Sequence, residues 1–84
     1  VSPLILLPAR QQEILELLNQ GMVERAIAAK LWLSYNTVRT HTRKIRDYFD
    51  THSNRESVLR ARAWGFVGPE DWPVGSGPLL AVLR

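Results

Sequence analysis

The chain has 84 residues, a net charge of +3, no cysteine, and five residues each of glycine and proline. That length allows one small domain with a limited core. The absence of cysteine excludes disulfides and thiolate metal sites, and no apolar run approaches the roughly 20 residues that a membrane helix needs. The two histidines, His41 and His52, are too few for a metal cluster and have no carboxylates at ligand spacing. The opening VSPLILL is too short and lacks the basic start of a signal peptide. The missing initiator Met suggests a processed chain or a fragment, and fragment is the favoured reading.

Taken in order, Val1 to Leu7 reads as an extended apolar lead-in over one edge of the core, or else as a linker stub. Pro8 to Gln20 is the first expected helix. Pro8 sits in its first turn, where a missing N–H costs nothing, and Gly21 follows as a residue able to take positive φ. Ile14, Leu15, Leu17 and Leu18 form its buried stripe; Gln11, Gln12, Glu13, Glu16, Asn19 and Gln20 are expected to be mostly solvated. Val23 to Leu31 is the second helix, with Ile27, Ala28 and Leu31 facing inward. Leu31-Trp32-Leu33-Ser34 is a tight break, with Trp32 expected to close over the core between the helices it joins.

The stretch from Ser34 organises the rest. Ser34 is a good N-cap, because its hydroxyl can accept from the free N–H groups of the next turn. The third helix spans Tyr35 to Tyr48 or Phe49. Val38, Thr42, Ile45 and Phe49 recur at spacings of three and four, so they share one face. Asn36, Arg39, Thr40 and Arg43 share the opposite face. An apolar back with a long-armed hydrogen-bonding front suits a helix seated on a small core and entering the major groove of DNA. Residues 23–46 carry six basic side chains against the single acid Glu24, while the flanks on either side are each slightly acidic. A charge focused in this way is the footprint of a phosphate-binding surface. His41 flanks the apolar face and reads as a semi-buried histidine bonded to backbone.

Asp50 to His52 is a turn, and Ser53-Asn54-Arg55-Glu56 matches a capping box. The fourth helix runs from about Asn54 to Trp64 and stops at Gly65. Val58, Leu59, Ala61, Ala63 and Trp64 are its apolar residues. From Phe66 onward the composition changes, and GPEDWPVGSGP rules out regular structure before Pro78. Leu79 to Leu83 suits one helical turn. Trp72 and Pro73 either fold back onto the domain or mark a docking segment. The fold class expected is all-α: a four-helix helix-turn-helix domain over residues 1–68, with an irregular Gly/Pro-rich tail over 69–84.

Arg10, Glu13-Ile14-Leu15, Leu18, Gly21, Ile27-Ala28, Leu31, Leu33-Ser34, Thr37-Val38, His41, Ile45 and Asn54-Arg55 give residues 7 to about 66 a pattern. It resembles the LuxR/NarL-type (GerE-type) helix-turn-helix of bacterial transcription regulators. Departures are Pro8 for a capping Thr, Gln11 and Ala26 for Glu, Tyr48-Phe49 for Lys-Leu, and a longer turn before the fourth helix. The resemblance implies a third helix in the major groove, a homodimer on paired half-sites, and a fourth helix that supplies the dimer contact. It also implies an upstream receiver or ligand-binding domain in many members. Carried over by position, Arg39, Thr40 and Arg43 are expected at bases; Asn36, near a phosphate by that carry-over, joins them through the helix face that it shares. Lys30, Ser34, Tyr35, Thr37, Lys44 and Arg46 are expected at phosphates, and Arg25 is left as ordinary surface. Val58, Leu59, Arg62 and Trp64 are the dimer candidates, Trp64 being equally placed for the core.

The reading is therefore a cytoplasmic, sequence-specific binder of double-stranded DNA in transcription regulation, with no cofactor and no membrane partner. Nothing suggests an enzyme: no nucleophile with a base, no glycine-rich phosphate loop and no paired carboxylates stand out. The alternative is a helix-turn-helix protein-interaction module, resembling a promoter-binding sigma-factor region and acting through the fourth helix and tail.

Overall fold

The computed structural model describes residues 7–75. Four helices form among them: α1 (Ala9–Asn19), α2 (Glu24–Leu31), α3 (Tyr35–Phe49) and α4 (Asn54–Trp64). There is no strand among the described residues. The expectations for the lead-in before Leu7 and for a helical turn over 79–83 lie outside them.

α3 touches each of the other three helices, and its sequence explains why. Val38, Thr42, Ile45 and Phe49 are all buried, as their spacing requires. Val38, Ile45 and Phe49 meet Ile14, Leu15, Leu17 and Leu18 from α1, Ile27 and Ala28 from α2, and Val58 and Ala61 from α4 in one core. Fully burying one such large apolar side chain is worth roughly 1.5–3 kcal/mol, so a core of this size is what holds the bundle.

All four helices end in the same way. The residue after a left-handed one donates its N–H to the carbonyl five positions back: Met22 to Leu17 (3.1 Å), Leu33 to Ala28 (3.0 Å), Thr51 to Arg46 (2.9 Å) and Phe66 to Ala61 (2.8 Å). This motif satisfies carbonyls that the helix leaves unpaired. The left-handed positions are Gly21, Trp32, Asp50 and Gly65. Two are glycine, which takes this backbone without penalty; Trp32 and Asp50 are not. Two arginines of α4 add to the capping. Arg60 donates to the Phe49 carbonyl (2.7 Å) and the Asp50 carbonyl (3.1 Å) at the end of α3. Arg62 donates to Asn19 Oδ1 (2.7 Å) and the Asn19 carbonyl (3.3 Å) at the end of α1. A cation at a helix C-terminus also opposes the negative end of the helix dipole.

Three expectations are corrected. First, α1 does not expose its polar side: Gln11, Gln12, Glu16 and Asn19 are buried. The cause is the chain after α4, which lies along α1. Phe66 and Val67 enter the core. Gln12 Nε2 donates to the Phe66 carbonyl (2.9 Å) and to Glu16 Oε2 (3.0 Å). Asn19 Nδ2 donates to the Pro69 carbonyl (3.0 Å) and Gln20 Nε2 to the Trp72 carbonyl (3.2 Å). The Gly75 N–H donates to Glu16 Oε1 (2.7 Å). Gln12, Glu16, Asn19 and Gln20 thus pair with a backbone that has no secondary structure of its own. Second, Trp32 closes over nothing; it is 94% exposed, because the left-handed turn carries its side chain away from the core. Third, His41 is semi-buried, but its Nδ1 is buried without a hydrogen-bond partner rather than bonded to backbone.

The aromatic pair at the end of α3 explains how the chain after α4 is anchored. Phe49 and Tyr48 meet Phe66 edge-on at 5.2 Å and 5.4 Å, and Phe49 meets Trp64 in a tilted contact at 5.3 Å. Such edge-on contacts are favourable beyond the area they bury.

Candidate nucleic-acid interface

The candidate surface is the N-terminal half of α3 with the turn before it. Ser34 is the N-cap: its Oγ accepts from the Thr37 N–H at 3.0 Å and lies 2.8 Å from Thr37 Oγ1. The remaining first-turn N–H groups of α3 have no helical acceptor, which makes this end suited to an anion. Asn36, Arg39, Thr40 and Arg43 are all exposed, so the four expected base-reading side chains share the open face of α3. Thr40 donates its hydroxyl to the Asn36 carbonyl (3.0 Å). What it offers outward is therefore a methyl group and acceptor lone pairs.

The six expected phosphate residues divide. Lys30, Ser34, Thr37 and Lys44 are exposed, whereas Tyr35 and Arg46 are partly buried. Arg46 donates to Asn54 Oδ1 at 2.7 Å, so its guanidinium is already engaged inside the domain. Tyr35 lies under Arg25, whose guanidinium carbon is 4.1 Å from the ring centre, and near that of Arg39 at 5.7 Å.

Sequence reasoning missed two things here. One is Arg25, set aside as plain surface: nothing in its spacing announces a contact with Tyr35 across a helix boundary. The other is Glu24. Its carboxylate accepts from Thr42 Oγ1 (2.7 Å) and Asn54 Nδ2 (3.0 Å), while Asn54 holds Arg46. This chain of groups ties α2, α3 and α4 together. Burial alone would raise the Glu24 carboxyl; the hydrogen bonds from Thr42 and Asn54, with Arg46 and Arg39 nearby, outweigh it and hold the group below its usual range. Its status as the sole acid of residues 23–46 was the available signal. His41 is shifted down as well, by burial first and then by Lys44 and Arg10.

The four dimer candidates also divide. Val58 is in the core and Arg62 is bound to Asn19, whereas Leu59 is 49% and Trp64 48% exposed. Among the described residues no group of three His, Asp or Glu is arranged to hold a metal, and no helix is long and apolar enough to cross a membrane.

Residues 6–61 match the family described as bacterial regulatory proteins, luxR family (GerE). Among solved structures, the response regulator ChrA of a heme-sensing two-component system is similar, at 36% identity with a TM-score of 0.69. The likeness covers 75% of this chain and 31% of that one, so this chain corresponds to about a third of that regulator. No curated protein matches.

Proposed function

Because this chain belongs to the luxR family of bacterial regulatory proteins, we propose that it binds double-stranded DNA sequence-specifically, with α3 in the major groove. The observation that carries the reading is the shared exposure of Asn36, Arg39, Thr40 and Arg43 on a helix whose other face is fully buried. Arg39 and Arg43 present bidentate donors of the kind that read guanine, and Asn36 the amide that reads adenine. The Thr40 methyl suits contact with a thymine methyl. Lys30, Ser34, Thr37 and Lys44 contribute phosphate contacts, which set register and are blind to sequence. Leu59 and Trp64 are the exposed apolar residues through which two copies meet on paired half-sites. The likeness to a longer response regulator supports reading these residues as the output part of a regulator with a receiver or ligand-binding part.

The test is fluorescence anisotropy with random and selected duplexes over a salt series. Affinity should fall steeply with salt, as counterions are released. Arg39→Ala should relax discrimination at particular base pairs, by roughly 1–3 kcal/mol. Lys44→Ala should weaken all duplexes about equally. Equal losses for Arg39→Ala on specific and random DNA remove the base-reading role. No binding at low salt replaces the reading with a protein-interaction module.

A further inference from the structure

We propose that Tyr35 is a positioning residue for Arg39, and that Arg25, held on the same ring, is a DNA phosphate contact contributed by α2. The inference rests on the DNA reading above and goes beyond it, because Arg25 lies outside the face of α3.

The geometry is specific. Tyr35 is the first residue of α3 and is partly buried. The Arg25 guanidinium stands 4.1 Å from the ring centre and that of Arg39 5.7 Å. Both distances are within the roughly 6 Å over which an aromatic face attracts a cation. Arg25 and Arg39 are themselves exposed, so the ring restrains them without removing them from solvent.

Restraint matters for recognition. An arginine ordered only on binding loses rotamer freedom at that moment, and prior ordering lowers that penalty. A guanidinium parked over Tyr35 is restricted before DNA arrives. Arg25 meanwhile stands beside the N-terminal turn of α3, where Ser34, Thr37 and the free N–H groups already suit a phosphate.

The experiment uses the whole chain and anisotropy on two duplexes: the selected site, and the same site changed at the base pair where Arg39→Ala loses discrimination. Tyr35→Phe keeps the ring and should keep the wild-type discrimination ratio. Tyr35→Leu should lower that ratio by roughly two- to five-fold, the range of an exposed cation–π contact. Arg25→Ala, a change at an exposed position, should leave the ratio intact and lower the salt slope by about one unit. Circular dichroism melts establish that each variant is folded. A wild-type ratio in folded Tyr35→Leu overturns the positioning role. Equal losses in Tyr35→Phe and Tyr35→Leu overturn it too, by assigning the effect to the hydroxyl. An unchanged salt slope in Arg25→Ala overturns the phosphate contact, and does so even if Tyr35→Leu fails to fold. Absence of wild-type binding overturns the DNA reading, and this inference with it.

Discussion

Replacing Glu24 with alanine should destabilise the domain by about 2 kcal/mol. The carboxylate accepts two hydrogen bonds, from the Thr42 hydroxyl at 2.7 Å and the Asn54 amide at 3.0 Å. Hydrogen bonds to a charged group contribute roughly 1.5–3 kcal/mol each when well shielded. Glu24 is only partly buried, so solvent screening reduces each to about 1 kcal/mol. Thr42, fully buried, keeps the Arg39 carbonyl (3.0 Å) as an acceptor, so no buried hydroxyl is orphaned. In a domain of this size each kcal/mol moves the melting temperature by roughly 4–8 °C, so the midpoint should fall by roughly 8–16 °C. The pH dependence has a definite sign. The folded carboxyl titrates below its ordinary value of 4.5, so its stabilising share is complete above that pH. It fades as pH falls through the folded value. Urea denaturation followed by circular dichroism at pH 7 and pH 3 should therefore show a large gap that shrinks on acidification. A gap under about 0.5 kcal/mol at pH 7, the scatter of ordinary surface substitutions, would refute the reasoning. So would a gap of equal size at both pH values.

Gly68→Ala should cost about 1–3 kcal/mol in a urea titration, because the added methyl would press into the rigid ring system of Trp72. An unchanged midpoint would show that residues 68–75 do not hold their place on α1. His41→Gln should flatten the loss of stability between pH 7 and pH 5. The wild-type imidazole titrates below 6.5 when folded, so it stabilises above that pH and less as pH falls; parallel profiles would contradict this. Leu59→Asp, at a half-exposed position, should leave the melting temperature nearly unchanged and reduce cooperative binding to paired half-sites in a gel-shift titration. Undiminished cooperativity would remove Leu59 from the dimer surface.

The sequence was most legible where periodicity and capping act together. The apolar face of α3, its Ser34 cap, and the stop of α4 at Gly65 follow from local chemistry, and the structure has them. Trp32 was misread because an aromatic between two helices is ordinarily core. The deciding factor was a left-handed backbone at that residue, which Trp does not advertise. The polar side of α1 was misread for a different reason. A Gln, Glu or Asn is solvated by default, and its burial here depends on partners 50 or more residues away. Arg46, expected at a phosphate by its position in the family pattern, also donates to Asn54, a contact that no local pattern announces. Local patterns thus located the face of α3, while the side chains that brace it are set by tertiary contacts.

The bonds between α1 and the chain after α4 also impose an order of assembly. Gln12, Asn19 and Glu16 leave a ribosome some fifty to sixty residues ahead of Phe66, Pro69 and Gly75, the residues they bind. Contacts so distant close last, because a long loop must be ordered before they return any energy. During that interval this side of α1 stands in water. Leucines there would leave a nascent chain with a sticky helix; amides and a carboxylate suit a hydrated helix face until residues 66–75 supply backbone partners.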